Sequence, residues 1–279
     1  MLDSMDRIVD FQHVFAQMVV ARAGSEAPEI LAAFSRVPRH VFLGPGPWQV
    51  SERGGRTPSD DPALVYQDVG MGLSGSITTG LPSLHARNLD ACRPRPGERV
   101  VQVGAGSGYF TAILAELVGD AGRVVAYEVE ADLATRAQDN LRERSNVRIV
   151  AGSGVRAFDE PADVLYVCAA VQQLPPSWLA ALSTTGRLVF PLTPGQGEGG
   201  MLLVRRTNDP SRFDARFLDR VRFVPCIGAQ DDALAKQLAD AFGTRTEDRV
   251  RTLGLGPAPK TGLWVEGDGW WLSTSEQTG

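Results

Sequence analysis

The chain has 279 residues, 43% hydrophobic and 22% charged, with a formal net charge of -5. This is ordinary globular composition, enough for a buried core in one large domain or one domain with appended elements. The acidic balance argues against nucleic acid as the main partner. Cys92, Cys168 and Cys226 form no C-x-x-C pair, and their odd number argues against a disulfide framework. Met1 to Phe15 carries charges and no apolar core, so no leader peptide is expected. No apolar run approaches the ~20 residues that span a bilayer. The expectation is a soluble, cytoplasmic protein with no membrane partner.

Apolar residues at helical spacing (Ile8, Phe11, Phe15, Met18, Val19) predict a helix from Arg7 to about Arg22, and a second follows from Ala27 to Phe34. Gly44-Pro45-Gly46-Pro47 is irregular, and the polar stretch from Ser51 to Pro62 reads as a loop. Ser83 to Cys92 reads as a helix stopped by Arg93-Pro94-Arg95-Pro96-Gly97. A regular alternation follows. Strands are expected at Val100–Val103, Arg123–Val129, Val147–Val150, Asp163–Cys168 and Arg187–Leu192, with helices at Tyr109–Val118, Asp132–Arg144 and Pro175–Leu182. Strands apolar on both faces, alternating with helices, predict a mostly parallel α/β sheet of Rossmann-like type with helices on both faces. Met201–Arg205 and Phe217–Val224 read as an antiparallel pair at the sheet edge, then a helix from Asp231 to Phe242. Leu263 to Leu272, with Trp264, Trp270 and Trp271 around Gly-Asp-Gly, reads as a final hairpin whose tryptophans are core. Three regions result: residues 1–92, an N-terminal helical cap with a substrate loop; 93–228, the cofactor-binding core; and 229–279, a C-terminal helix and β extension.

The strongest local signal is Val101-Gln102-Val103-Gly104-Ala105-Gly106-Ser107-Gly108-Tyr109. An apolar strand runs into glycines at alternate positions and then a helix, so a ligand can approach the backbone beside free N–H groups. A plain glycine-rich β–α turn would look the same. Glu128 closes the next strand, about 20 positions on, where a carboxylate accepts both hydroxyls of a ribose; a solvated strand-end acid is the bland alternative. Together they point to a nucleoside-bearing cofactor. Dinucleotides use G-x-G-x-x-G facing a pyrophosphate. Here the third glycine comes one position early, which favours S-adenosylmethionine, a cofactor without phosphate.

With these residues the chain resembles the protein-L-isoaspartate O-methyltransferase family of class I methyltransferases. The resemblance runs from Val37 to Ile227. It rests on Val37-Pro38-Arg39-His40-Val41-Phe42, Tyr66-Gln67-Asp68, Ser76-Ile77-Thr78, Pro82-Ser83-Leu84-His85-Ala86, Arg95-Pro96-Gly97-Glu98-Arg99-Val100, Asn146-Val147, Ala169-Ala170 and Gly186-Arg187-Leu188-Val189-Phe190-Pro191. It implies a cofactor surface of Gly104, Ala105, Gly106, Ser107, Gly108, Tyr109, Glu128 and Val129, joined by Ser76, Ile77, His85, Gly152, Ser153, Gly154 and Ala169. It implies an acceptor side shaped by Asp68 and a hydroxyl at Thr78, with Thr79 as its rival. Two departures stand out. Thr78-Thr79-Gly80-Leu81-Pro82 carries two more residues than the family's loop, and Gly152-Ser153-Gly154 replaces the family's G-D-G, whose acid is associated with the adenine amine.

The implied reaction is methyl transfer from S-adenosylmethionine to a carboxylate, giving a methyl ester and S-adenosylhomocysteine. The acceptor would be an isoaspartyl peptide or protein, an aspartate in a dedicated peptide, or a small-molecule acid. A carboxylate is already ionised near neutrality and needs no general base, whereas a hydroxyl or amine acceptor would. No metal is implied. Of the histidines, His13 reads as a helix-surface residue, His40 as structural and His85 as a cofactor or substrate contact; Cys168 reads as packing. Two rivals remain at this level: a cofactor-binding protein without isoaspartyl activity, and an NAD-dependent oxidoreductase, which the early third glycine disfavours.

Overall fold

The computed structural model of the protein describes residues 2–52, 55–156 and 158–275. Along the chain the first elements are α1 (Leu2–Ala23), α2 (Pro28–Arg36), α3 (Arg39–Leu43), β1 (Trp48–Glu52), β2 (Gly55–Ser59), β3 (Gly70–Ser74), β4 (Ile77–Thr78), α4 (Pro82–Cys92), β5 (Arg99–Val103), α5 (Tyr109–Val118), β6 (Arg123–Glu128), α6 (Ala131–Leu141) and β7 (Val147–Ala151). They are followed by β8 (Ala162–Val167), α7 (Pro176–Ala180), β9 (Leu182–Leu192), β10 (Gly199–Arg206), β11 (Arg212–Val221), α8 (Asp232–Gly243), β12 (Thr252–Leu255), β13 (Leu263–Gly267) and β14 (Trp270–Ser273). These residues form two compact units, Met1–Gly97 with Ala105–Gly152 and Glu98–Gly104 with Ser153–Gly279.

In the first unit β6 and β7 pair in parallel, Val124 opposite Val147 and Glu128 opposite Ala151. α5 is apolar almost all round and buried along nearly its whole length, as the pattern Tyr-Phe-Thr-Ala-Ile-Leu-Ala-Glu-Leu-Val dictates. α6 buries only one stripe, Leu133, Ala134, Ala137 and Leu141. α4 starts on Pro82, which suits a first turn, and ends where Arg93 takes a left-handed φ of 45°. The unit also holds a four-stranded sheet in the order β2-β1-β3-β4.

That sheet departs most from what the sequence predicts. The stretch expected to be a loop from Ser51 to Pro62 is largely a hairpin, β1 pairing antiparallel with β2 from Trp48↔Ser59 to Glu52↔Gly55; residues 53 and 54 lie outside the described residues. β2, Gly-Arg-Thr-Pro-Ser, carries no apolar alternation, and its Pro58 stands on the sheet edge, where a missing N–H is tolerated. β3, Gly-Met-Gly-Leu-Ser, is masked by its glycines and serine, and β4, Ile77–Thr78, is too short to show a pattern.

In the second unit β8 pairs in parallel with β5 on one side and β9 on the other. β9, β10 and β11 then run antiparallel. β11 is not the edge, as expected from sequence, because β12, β14 and β13 continue the sheet beyond it. β12 escaped notice because it is short and carries Gly254, a site where a Cβ would overlap the Trp271 ring. α8 is capped by Asp231, whose Oδ1 accepts from the N–H groups of Ala233 and Leu234 at 2.9 Å. The terminal hairpin forms as expected, with Trp270 and Trp271 buried. Its tip is fastened by Gln173, which accepts from Asp268 N–H at 3.2 Å and Trp270 Nε1 at 3.1 Å. Among the described residues no helix is long and apolar enough to cross a membrane.

Candidate active site

The glycine motif is built as its spacing demands. Gly104, Gly106 and Gly108 have φ of +84°, +56° and +92°, a region that side-chain-bearing residues rarely enter. Gly108 is needed twice over, since a Cβ there would lie 2.7 Å from Leu141 Cδ1. Within the first unit, Ala105 N–H donates to Tyr127 O at 3.1 Å and Gly106 N–H donates to Glu128 Oε2 at 2.7 Å. The other carboxylate oxygen accepts from Glu130 N–H at 3.0 Å. Gly152 N–H donates to Glu128 O at 2.7 Å. The turn, Glu128 and Gly152 are therefore one assembly. Glu128 is buried, and desolvation raises its pKa against the lowering effect of those backbone N–H groups. Beside it, Val129 is exposed.

The β3–β4 hairpin reaches the same place. A Cβ on Gly106 would come within 3.1 Å of Leu73 Cδ1, and Thr78 pairs with Gly72 across the hairpin. Thr78 is half-buried, and its Oγ1 accepts from Gly80 N–H at 3.3 Å. Ile77 is half-buried and Ser76 exposed. Thr79 is different. It is buried, its N–H donates to Met71 O at 2.8 Å, and its hydroxyl accepts from Met71 N–H at 3.1 Å and donates to Gly80 O at 3.1 Å. Thr79 thus builds the loop and Thr78 presents it.

Asp68 also serves the scaffold. Oδ1 accepts from Ser83 N–H at 2.8 Å, satisfying a donor in the first turn of α4, and Oδ2 lies 3.3 Å from Arg22 Nη1. His85 is buried in α4 and stacks on Phe110 with ring centroids 3.6 Å apart. Burial foremost, with the Arg39 charge second, pushes its pKa down to about 3. Its imidazole is neutral at physiological pH and poorly suited to act as a base. His40 Nδ1 and the Tyr66 hydroxyl share a hydrogen bond of 2.6 Å.

The second unit carries the remaining candidates. Gly104 follows β5 and Ala169 follows β8, at the carboxyl ends of neighbouring parallel strands, where open α/β sheets bind ligands. Gly154 O accepts from Trp178 Nε1 at 2.9 Å, and Ser153 Oγ accepts from Val155 N–H at 3.4 Å. Ser153 offers no negative charge where the family pattern has an acid.

Two further residues contribute that no sequence pattern singles out. Asn140 Nδ2 donates to Ser107 O at 2.9 Å and steadies the turn from α6. Arg39, fully buried, holds the segment from Val65 to Val69; its sequence signal is its place in Val37-Pro38-Arg39-His40-Val41-Phe42.

These features suit S-adenosylmethionine. The turn brings backbone close with its third glycine one position early for a pyrophosphate site, Glu128 retains acceptor capacity beyond its backbone donors, and the buried Ser107 Oγ has no partner among the described residues. Fold and site together define a class I S-adenosylmethionine-dependent methyltransferase. The family model for protein-L-isoaspartate(D-aspartate) O-methyltransferase matches residues 20–231. A Methanoregula boonei protein-L-isoaspartate O-methyltransferase is 33% identical over 230 residues, 81% of this chain and 94% of the relative. The Aeropyrum pernix enzyme of that name is 34% identical over 204 residues, 71% of this chain and 72% of the relative. The fold matches a solved protein-L-isoaspartate O-methyltransferase with a TM-score of 0.69 at 20% identity, covering 94% of this chain and 87% of that one. A Plasmodium falciparum structure described as such an enzyme, in complex with S-adenosyl-L-homocysteine, matches with a TM-score of 0.63 at 18% identity, covering 77% and 97%. The chain belongs to the protein-L-isoaspartate(D-aspartate) O-methyltransferase family. It is an S-adenosylmethionine-dependent O-methyltransferase, and the oxidoreductase reading falls.

Proposed function

We propose that the chain methylates the free carboxylate of isoaspartyl residues in peptides and proteins. The observation that carries this reading is the condition of its bases. His85 is neutral, stacked and buried, and Asp68 is held by Ser83 N–H and Arg22. A hydroxyl or amine acceptor would need a proton removed by a group in reach; a carboxylate needs none. Bound S-adenosylmethionine supplies an electrophilic methyl carbon on sulfur. The protein's task is then alignment and exclusion of water. Thr78 Oγ1 and neighbouring backbone N–H groups hold the acceptor acid, Glu128 binds the ribose hydroxyls, and Val129 offers an apolar surface to the base. Gly104 to Tyr109, with Ser76, Ile77, His85, Gly152, Ser153, Gly154 and Ala169, complete the cofactor surface in this reading. The same reading gives residues 1–92 the acceptor side and 93–228 the cofactor, with 229–279 as an extension; the family match ends at residue 231. All three cysteines are thiols rather than disulfides, which suits a cytoplasmic location.

The chemical nature of the product tests this. Methyl groups transferred to an isoaspartyl peptide should be lost as methanol in mild base, as an ester requires. A base-stable methyl product would indicate a nitrogen or ether linkage and overturn the carboxylate reading.

A further inference from the structure

Arg39 is the one feature of the acceptor side that the reaction as described leaves unexplained. It opens α3, and its side chain is entirely buried. Nη1 donates to Val65 O at 2.9 Å and Gln67 O at 2.6 Å; Nη2 donates to Val69 O at 2.6 Å and to Thr79 Oγ1 at 3.3 Å. The guanidinium also lies 5.4 Å from the Phe15 ring centroid and 6.0 Å from that of Tyr109. None of these hydrogen bonds ends on a carboxylate. The charge is balanced by carbonyl dipoles, a hydroxyl and ring faces, and Nε has no partner among the described residues. Desolvation by burial lowers its pKa to about 10, so the side chain remains a cation near neutrality. A buried charge kept on such terms is a poor device for stability alone, because a well-packed apolar side chain is often as stabilising.

What the guanidinium does hold is geometry. It gathers the carbonyls of residues 65, 67 and 69 in one fork and ties them to the hydroxyl of Thr79. Asp68, inside the gathered segment, fixes the start of α4 through Ser83 N–H. Thr79 follows Thr78, whose partner strand carries Leu73 against Gly106. We infer that Arg39 is a positioning residue for methyl transfer: it sets the hydroxyl loop at Thr78–Thr79 against the glycine turn, so that acceptor and cofactor are aligned. This rests on the carboxylate-acceptor reading. A lysine in its place would keep the charge but not the planar fork that reaches four acceptors.

The test compares wild type with Arg39→Lys and Thr79→Val, separately and together. Cofactor Kd is measured by calorimetry, kcat and KM with an isoaspartyl peptide, and backbone exchange of residues 65–80 by mass spectrometry. The expected result for Arg39→Lys is a kcat at least about tenfold lower with cofactor Kd within about threefold of wild type, and faster exchange in 65–80. The double variant should lose little beyond the worse single one, since the two groups act as a unit. A kcat that falls only with the folded fraction, or losses that multiply in the double variant, overturns the inference. If wild type transfers nothing to the peptide, the acceptor reading fails; exchange still decides the clamp, and unchanged protection in Arg39→Lys refutes it.

Discussion

Glu128→Gln is the substitution that separates cofactor binding from scaffold. The carboxylate accepts from Gly106 N–H at 2.7 Å and Glu130 N–H at 3.0 Å. The amide keeps one accepting oxygen and turns an NH2 donor toward a backbone donor, so one of those bonds is lost. Hydrogen bonds to a charged group contribute about 1.5–3 kcal/mol each. If the ribose hydroxyls use the same carboxylate, cofactor affinity should fall about 10- to 100-fold, at about 1.4 kcal/mol per tenfold. Burial works in the opposite direction on stability. Because desolvation raises the pKa of Glu128, the folded state holds its proton more tightly than the unfolded chain does. Between the unfolded and folded pKa values, stability from this group therefore falls as pH rises. Its removal as a charge offsets part of the lost hydrogen bond, so the melting temperature should move much less than affinity does. Calorimetric titration with S-adenosylmethionine, beside a thermal melt of the unliganded protein, measures both. In wild type, affinity should weaken as pH falls, beginning above the range of an ordinary glutamate, whereas the glutamine variant should show no such dependence. A cofactor Kd within twofold of wild type would refute the reasoning.

Thr78→Val should lower kcat/KM for the acceptor by about an order of magnitude while leaving cofactor Kd and melting temperature near wild type, whereas Thr79→Val should cost about 1–3 kcal/mol of stability by stranding Met71 N–H and part of Arg39, read in urea melts. Gly108→Ala forces a left-handed residue at about 1–2 kcal/mol and pushes on Leu141, so both melting temperature and cofactor affinity should drop in one thermal-shift series. Glu98 and Arg187 form a bidentate, largely buried pair at 2.8 and 2.9 Å; Glu98→Gln should cost about 3 kcal/mol or more in denaturant, and an apolar replacement of both should recover much of it. Because His85 titrates at about 3, kcat should show no histidine-like step between about pH 6 and 8; such a step, abolished by His85→Phe, would mean that it takes part as a base.

Much of the geometry of the proposed cofactor side was legible because its signals are local. A glycine with positive φ has few substitutes, and the strand–turn–helix around Gly104 to Tyr109, with Glu128 closing the next strand, follows from chain geometry over about thirty residues. α5 and β8 were plain for the same reason: runs with no polar face must be buried. The proposed acceptor side was harder. β2 has no apolar alternation and β4 is two residues long, while β1 and β3 alternate over only two apolar positions each (Trp48 and Val50, Met71 and Leu73), too few to mark a strand. Thr78 and Thr79 are chemically equivalent in sequence, and only the hydrogen bonds from Met71 N–H and Arg39 to Thr79 Oγ1 show which hydroxyl is tied into the loop. Asp68 and Arg39 act across 15 and 40 residues of chain, on Ser83 and Thr79, separations at which no spacing rule operates. The sequence puts β11 at the edge because the short β12, with its glycine under Trp271, resembles a turn.

The most direct test of the account compares an isoaspartyl peptide with its aspartyl twin as acceptors, with radiolabelled S-adenosylmethionine and volatile methanol as readout. The account predicts base-labile label in the isoaspartyl peptide and little or none in the twin. Equal labelling of both peptides, or no label in either from protein that binds the cofactor, would contradict it.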